Sequence, residues 1–539
     1  MLNSRLLPYV AGLAVCFLFL ALGLIFIPYP GAQYDETLFT TALFRPQQVE
    51  ATMKLPFAGR VPSMLMTYIG TLKAAIYAPI LKFLPPGHAT LRVPVLLFGA
   101  LSVWFVFLAL RRLAGTKAAL LASLLLATDA LYLLTCVFDW GPVALQHLFF
   151  TAAFYCLVRF SSEPRSRWLF LAALSSGLAL WDKALFIWLL AGMGIALAAV
   201  LPRQLLALAR HRRPAAAIVL GFVLGSAPFL YYNYRNKLRT FAANTEVDEQ
   251  NALSKLVMLD RTLDGSGLLG YLVRESPEGP PQNLRIWEKA PLRLNDILGS
   301  PRESWQHLLL VLALLAAPAL CWRGPNRRVA LILLLGGIVS YALMITTRRA
   351  GGSAHHTVLL WPVPHLLLGL ALGAVASKWP GRLWRGAAVL TLACVFSNLA
   401  VLNTYLAHFI ACGPGLTWND AIRPLVNELG THPGRVVFAA DWGILQQVEF
   451  YSNGRIGMHP ASDGIVLSLP DHLGVEHLER ALADPQLLFI TFTEGRDMFP
   501  NTRGKLLEFA ASRGYQDHIL AVVRDRHTAP TFEIHEFRK

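Results

Sequence analysis

Residues 6–37 read LLPYVAGLAVCFLFLALGLIFIPYPGAQYDET, an apolar run over 6–28 that is soon followed by two adjacent acids, Asp35 and Glu36. A helix rises about 1.5 Å per residue, so this run is long enough to cross about 30 Å of hydrocarbon. No small-residue cleavage pattern follows it, which predicts an uncleaved first membrane span.

Apolar runs of this kind recur along the chain. Hydrophobic residues make up 55% of the 539 residues and charged residues only 15%, a balance that excludes an ordinary water-soluble protein. The sequence therefore predicts an α-helical polytopic membrane protein with about eleven spans. They are predicted at 6–28, 89–110, 118–136, 141–160, 167–181, 183–201, 215–233, 305–321, 328–346, 356–376 and 384–408.

The basic residues cluster in alternate connections between these spans, as in Arg111 and Arg112 or Arg212 and Arg213. The positive-inside rule places these connections and the N-terminus in the cytoplasm. The long loops 29–88 and 234–304 are then extracytoplasmic. We attribute the formal net charge of +15 to these basic clusters, which would lie near membrane lipids, and we expect no nucleic-acid partner.

Two segments need separate treatment. If the fairly apolar stretch from Pro62 to Leu84 were a span, every later basic cluster would lie on the opposite side of the membrane. We therefore predict an amphipathic or re-entrant piece outside the membrane, with Lys73 and Lys82 at the interface.

After the membrane domain at 1–411, the composition predicts a small soluble α/β domain at 412–539. Its expected strands are 435–440, 487–493, 519–523 and 531–537, with a helix at 504–512.

Asp35 and Glu36 are the first candidates for chemistry. Neighbouring like charges and partial burial raise the proton affinity of a carboxylate, so one of them could act as a general base. Alternatively, Asp35 caps the following helix and Glu36 lies in its first turn, where the helix dipole favours a negative charge. The residues alone leave both interpretations open.

The next two turns on the same side carry Asp139 and the pair Asp182 and Lys183. A carboxylate near bilayer depth is costly and often marks a functional interior, although Asp139 could simply cap the following helix ahead of Pro142. Lys183 could bind a phosphate or merely neutralise Asp182.

A later turn contains Arg348, Arg349, His355 and His356. Its arginines oppose the positive-inside trend, and guanidinium groups beside glycines and a helix N-terminus favour phosphate binding. The alternative is a solvated turn whose arginines pair with lipid headgroups or loop acids. For His355 and His356, a structural role is as compatible with the sequence as a catalytic one.

No nucleotide-binding signature is found. If the protein transfers a chemical group, the sequence therefore argues against a nucleotide as the donor of that group. The six cysteines are scattered and show neither a disulfide framework nor a zinc spacing. We predict no resident metal site and no cofactor, while a divalent ion at the acids is left open.

The acidic pair in the first outward loop, the further Asp139, the number of spans and the soluble tail together resemble the GT-C superfamily of membrane glycosyltransferases. Within it, the protein O-mannosyltransferases and the bacterial aminoarabinose transferases are the families that the chain resembles. Asp139 lies in the sequence Asp-Trp-Gly-Pro, which matches no subgroup of these families, and the tail shows no resemblance to their soluble domains.

The resemblance implies a sugar donor on a polyprenyl or dolichyl phosphate and a lipid, glycan or protein acceptor. It implies Asp35 as the catalytic base, Glu36 as its neighbour and Asp139 as the second-loop acid. We predict a donor- and acceptor-binding site formed by Asp139, Lys183, Arg348, Arg349, His355 and His356. By charge and location, Arg348 and Arg349, together with Lys183 or His355, would stabilise the leaving phosphate. We expect a bacterial inner membrane. The alternatives are a transporter or lipid-linked-glycan translocase, and a structural component whose tail binds a partner.

Overall fold

The computed structural model describes residues 6–56, 59–244, 246–247, 251–277, 279, 284–348, 350–460 and 462–539. The first span contains α1 (Leu7–Phe26). The loop after it contains α2 (Tyr34–Thr37), α3 (Thr40–Phe44), β1 (Ala51–Leu55), β2 (Gly59–Met66), β3 (Ile69–Gly70) and α4 (Leu72–Phe83), and its three strands pair antiparallel. We call residues 29–87 loop 1.

The prediction for Pro62–Leu84 is wrong for Lys73. Only Leu72–Phe83 is helical, because the preceding residues pair as strands. Lys73 is 4% exposed and forms a buried ion pair, so it does not lie at a lipid interface. Lys82 is exposed, as expected.

Each of the other predicted spans also contains a helix. In chain order the helices are α5 (His88–Ala114), α6 (Thr116–Thr128), α7 (Ala130–Val137), α8 (Ala144–Ser162), α9 (Ser166–Asp182), α10 (Phe186–Val200), α11 (Pro202–Arg210), α12 (Arg212–Arg235), α13 (Arg239–Asn244), α14 (Ala252–Asp264), α15 (Lys289–Leu298), α16 (Gln306–Cys321), α17 (Arg327–Ile345), α18 (Ala354–Thr357), α19 (Val363–Lys378) and α20 (Arg382–Ala411).

Six helical segments of the described chain are long and apolar enough to cross a membrane. The number rises to eight if α6 with α7 and α10 with α11 each count as one bent span. The chain is a multi-pass membrane protein. The 60° bend between α6 and α7 occurs at Asp129, whose buried carboxylate accepts hydrogen bonds from the Tyr132 amide, the Gln306 amide group and the Trp361 indole. These bonds satisfy polar groups that the break leaves inside the bundle.

The C-terminal region, residues 412–539, forms a sheet flanked by helices. It contains α21 (Ile422–Leu429), β4 (Val436–Ala439), α22 (Leu445–Ser452), β5 (Gly457–Met458), α23 (Ser462–Ile465), α24 (His472–Ala483), β6 (Leu487–Phe492), α25 (Thr502–Ser512), β7 (Gln516–Arg524) and β8 (Pro530–Arg538). The strand order is β5-β4-β6-β8-β7, with β5, β4 and β6 parallel. The predicted strands and helix of this region are confirmed.

One face of this sheet shares a hydrophobic core with loop 1. Phe39 and Tyr77 of loop 1 pack in the same cluster as Val448 of α22 and Ile490 of β6. On the other face, Leu478 of α24 belongs to a separate core. The region therefore covers one end of the helical bundle, which we call the capped end.

Glycine residues let α9 and α12 approach closely. A β-carbon added at Gly225 would lie 2.4 Å from the Leu174 carbonyl oxygen, and one added at Gly177 would lie 2.5 Å from that of Phe222. Because lipid tails are as apolar as the side chains, close backbone packing is a main source of association between spans.

Gly225→Ala is expected to lower the melting temperature of the purified protein, because the added carbon forces two helix backbones apart. Overpacking of this kind costs about 1–3 kcal/mol. Gly194→Ala in α10 is the matched control, since its β-carbon would meet no atom within 4 Å. Thermal unfolding in detergent gives the comparison, and equal melting temperatures for the two variants would refute the packing argument.

Candidate active site

Loop 1 is fixed to the bundle by Arg92 of α5. The Arg92 guanidinium is fully buried and binds both carboxylate oxygens of Glu36, at 2.9 and 3.0 Å. Its terminal nitrogens also lie 2.9 Å from the carbonyl oxygens of Ile27, Tyr29, Pro30 and Gly31. One side chain thus holds the turn between α1 and α2 in place.

Gln33, rather than Asp35, caps the short helix α2. The Gln33 side chain accepts hydrogen bonds from the amides of Asp35 (2.6 Å) and Glu36 (3.3 Å). Glu36 completes a capping box by accepting from the Gln33 amide. The carboxylate of Glu36 is therefore fully engaged, whereas that of Asp35 is not used for capping.

The Asp35 carboxylate is half-buried at the capped end. No cation lies within the 4 Å ion-pair distance of it in the described part of the chain. Burial raises the pKa of Asp35 above its ordinary value, and the charges of Lys183 and Lys73 only partly lower it. A carboxylate in this state is available to take up a proton.

Asp139 follows α7 and is held by two kinds of partner. Its Oδ1 accepts from the amides of Val143 (2.7 Å) and Ala144 (2.9 Å) at the start of α8, and its Oδ2 binds Lys73 Nζ at 2.9 Å. Burial opposes ionisation, but Lys73 and the amides hold the pKa of Asp139 below its ordinary value. Lys73 Nζ also donates to the Glu36 carbonyl oxygen, which links this turn to loop 1.

Lys183 lies between α9 and α10 and extends to the Asp139 turn. Its Nζ donates to the Gly141 carbonyl oxygen at 2.9 Å, and its backbone forms an isolated bridge with Ile69 of loop 1. Burial lowers the pKa of Lys183 to about 8, although the charges of Asp35, Asp139 and Asp182 raise it. Asp182 forms no ion pair with Lys183 in the described structure, and the Gln146 amide donates a hydrogen bond to it at 3.3 Å.

His355 lies beside the same turn. Gly141 has a positive φ of 58°, and a β-carbon there would come within 3.1 Å of both the Lys183 Nζ and the His355 ring. The His355 Nδ1 pairs with the Ser353 hydroxyl at 2.8 Å, and its ring lies 4.2 Å from that of His356. The structure therefore brings Asp139, Lys183 and His355 together around one glycine.

Arg348 has a different environment. It is exposed, and its guanidinium pairs with the equally exposed Glu246 at 2.9 Å. Arg349 lies outside the described residues. Lys255, which the sequence did not single out, is buried near His356 and donates to the carbonyl oxygens of Ile345 and Thr347. The phosphate-binding role predicted for the arginines stays a prediction.

Aromatic rings enclose the site on the side of the second long loop. The Trp140 ring lies 5.3 Å from Trp418, 5.7 Å from Tyr271 and 5.5 Å from His355. Burial raises the pKa of Tyr271 to about 12, and the nearby Asp35 charge adds to this effect. Tyr271 is 38% exposed and lies near enough to Asp35 for the two groups to affect each other.

Three residues of this site were missed by the sequence analysis as functional candidates: Arg92, Lys73 and Tyr271. A basic residue inside an apolar helix, as Arg92 is, was the available signal, because such a residue needs a buried partner. In the described residues no three histidine, cysteine or acidic side chains come together in a way that could hold a metal ion.

Comparisons with known proteins agree with this architecture. The family model of the dolichyl-phosphate-mannose-protein mannosyltransferases matches residues 72–232, a range that includes Lys73, Arg92, Asp139 and Lys183 but not Asp35. No curated protein sequence matches the chain.

The solved structures show the fold over nearly the whole chain. ArnT from Cupriavidus metallidurans bound to undecaprenyl phosphate is similar with a TM-score of 0.57 and 12% identity, over 98% of this chain and 97% of ArnT. The oligosaccharyltransferase AglB from Archaeoglobus fulgidus, in complex with an inhibitory peptide and a dolichol-phosphate, gives 0.51 and 13% over 96% and 73%. The chain therefore has the fold of the GT-C superfamily of membrane glycosyltransferases, the superfamily that its sequence resembles.

Proposed function

We propose that this protein transfers a sugar from a polyprenyl-phosphate donor to an acceptor hydroxyl, with Asp35 as the general base. The observation that carries the proposal is the state of the Asp35 carboxylate. It is half-buried, its pKa is raised, and no described cation lies within ion-pair distance of it. A base needs an oxygen that is free to accept a proton at the moment of attack.

The reaction is a single displacement at the anomeric carbon. Asp35 takes the proton from the acceptor hydroxyl as its oxygen bonds to that carbon, and the bond from the carbon to the phosphate oxygen breaks. The polyprenyl phosphate leaves with the bonding electrons, and the anomeric configuration inverts. Stabilising the negative charge that develops on the phosphate is then the main electrostatic task of the site.

Lys183 is the side chain best placed for that task. It is buried, lies close enough to Asp35 for the two charges to affect each other, and has a second polar neighbour in His355 across Gly141. Support for a lipid phosphate comes from ArnT and AglB, whose structures contain undecaprenyl phosphate and dolichol-phosphate. Burial strengthens the attraction between an ammonium group and a phosphate relative to water.

Glu36 and Asp139 have a different role in this proposal. Arg92 occupies both oxygens of Glu36, and Lys73 together with two backbone amides occupies those of Asp139. Neither carboxylate is free to accept a proton from a substrate. We assign both as positioning residues that orient loop 1 and the Gly141 turn.

The proposed orientation places the capped end outside the cytoplasm. Clusters such as Arg111 with Arg112 and Arg212 with Arg213 are in the connections at the other ends of their helices, as the positive-inside rule requires for the cytoplasmic side. The acceptor would then be modified on the extracytoplasmic face of the membrane, where 412–539 forms a soluble domain.

Asp35→Asn is expected to lower transfer by about 10²- to 10⁴-fold, the usual contribution of a general base, while leaving the melting temperature unchanged. The measurement is release of polyprenyl phosphate from a panel of polyprenyl-phosphate sugars by the purified protein in nanodiscs with crude membrane acceptors. Asp296→Asn, an exposed acid of α15, is the matched control. Equal rates for Asp35→Asn and wild type would exclude the proposed base, and the absence of release from any donor would favour a transporter.

Asp139→Asn separates positioning from proton transfer. It leaves the buried Lys73 ammonium without its counter-charge, and removing one partner of a buried ion pair costs about 3–5 kcal/mol. We therefore expect a lower melting temperature together with reduced activity, in contrast to Asp35→Asn. Thermal unfolding of the two variants side by side provides the comparison, and a fully stable Asp139→Asn protein would contradict the assignment.

The rate should depend on pH at both ends of a bell-shaped profile. On the acidic side, activity falls as Asp35 gains a proton, at a pH above the ordinary range of an aspartate because its pKa is raised. On the alkaline side, it falls near pH 8 as Lys183 loses its proton. Lys183→Arg should remove the alkaline limb, since arginine stays charged. A pH profile of the initial rate tests this, and an unchanged alkaline limb in the variant would show that Lys183 is not the group that titrates.

A further inference from the structure

The carboxyl ends of the parallel strands of the C-terminal sheet face loop 1. We call this end of the sheet the edge. The helix α22, which follows β4, packs on one face of the sheet and α24 packs on the other. In open α/β sheets wound in this way, ligands bind at the carboxyl ends of the parallel strands. Trp442 lies at that edge, between β4 and α22.

The backbone of Trp442 is held rigidly. The neighbouring Asp441 is buried, and its carboxylate accepts hydrogen bonds from the amides of Trp442 (2.7 Å), Met498 (2.8 Å) and Phe499 (3.2 Å), and from the Thr502 hydroxyl (3.0 Å). These bonds join the loop after β4 to the loop after β6. A binding residue placed on such a fixed loop loses little conformational freedom when a ligand arrives.

Trp442 meets the residue next to the proposed base. Its ring lies 4.7 Å from that of Tyr34, with 31° between the ring planes, and Tyr34 directly precedes Asp35 in α2. Both rings are half-buried, so each keeps part of its surface open. The position of this ring pair is further fixed because Arg45 of loop 1 forms an ion pair with Glu449 of α22.

Polar groups lie beside the ring pair. Gln446 of α22 is 6% exposed and hydrogen-bonds to Tyr34, while its Oε1 has no hydrogen-bond partner in the described structure. Asp463 of α23 is half-buried; burial raises its pKa, and hydrogen bonding with Tyr34 partly lowers it. A buried amide oxygen without a partner costs free energy unless a ligand or water satisfies it.

We propose that this edge, formed by Tyr34, Trp442, Gln446 and Asp463, binds the acceptor as an uncharged sugar ring. The proposal rests on the function proposed above and names its acceptor class. Aromatic faces bind the C–H surface of a sugar, while the amide and the carboxylate can pair with its hydroxyl groups. The four residues of the edge include one carboxylate and no cation, so they offer no counter-charge to a phosphorylated or acidic acceptor.

A glycan fits these groups better than a peptide does. Peptide segments are commonly bound by adding a strand to a free sheet edge. The edge strands of this sheet are β5 and β7, whereas the ring pair lies after the interior strand β4 and presents side chains rather than backbone.

The test uses the full-length protein in nanodiscs and saturation-transfer NMR. The probes are methyl mannoside, methyl glucoside, methyl galactoside and N-acetylglucosamine as neutral sugars, glucuronic acid as an acidic sugar, and a Ser/Thr-containing peptide. The variants are Trp442→Ala, Trp442→Phe and, as the matched control, Trp305→Ala, which removes a 64% exposed tryptophan outside the proposed site.

We expect at least one neutral sugar to bind, with affinity lowered about five- to tenfold in Trp442→Ala and largely kept in Trp442→Phe and Trp305→Ala. Binding that Trp442→Ala leaves unchanged, binding of the peptide or of glucuronic acid alone, or no sugar binding at all would overturn the proposal. Donor release by the same wild-type preparation is measured separately. Sugar binding without donor release would refute only the transferase, and release with binding insensitive to Trp442 would refute only this site.

Discussion

The buried contact between Arg92 and Glu36 is the constraint on which the candidate site depends. Taking a guanidinium and a carboxylate out of water is costly, and a buried pair is weak evidence for stability in itself. Here the Arg92 nitrogens also lie within hydrogen-bond distance of four carbonyl oxygens in the turn after α1. We infer that the pair has a positioning role. It fixes the direction in which α2 leaves the bundle, and this direction sets the position of Asp35.

A second buried pair transmits this constraint to the other turns. Lys73 binds the Asp139 carboxylate and the Glu36 carbonyl oxygen, so the Gly141 turn cannot move independently of loop 1. Lys183 then binds the Gly141 carbonyl oxygen. Glu36 and Asp139 are each neutralised by an adjacent cation. Burial raises the pKa of Asp35, and the cations that act on its charge lie beyond ion-pair distance and offset this effect only in part.

Much of the fold could be predicted from the sequence, because membrane spans and buried strands are both marked by runs of apolar residues that are adjacent in the sequence. The position of Asp35 immediately after the first span was equally visible. The functions of Arg92 and Lys73 were not, because their partners are 56 and 66 residues away in sequence. The same limit affected Arg348: its unusual location suggested a phosphate site, but the structure pairs it with Glu246 across 102 residues. Lys73 was misplaced for a further reason, since an amphipathic or re-entrant piece at 62–84 would have put it at an interface.

The C-terminal region is joined to loop 1 by packing and not only by its covalent link to α20. Phe39 packs 6.2 Å from Phe450 of α22, and the buried Glu449 pairs with Arg45. Because α2 and α3 contact α22 directly, a shift of this region would displace the same short segment that Arg92 fixes from the bundle side. Asp35, the proposed base, thus lies where loop 1 contacts both the helical bundle and the C-terminal region. An acceptor bound at the proposed edge would lie beside Asp35, since Tyr34 directly precedes Asp35 and its ring lies 4.7 Å from that of Trp442.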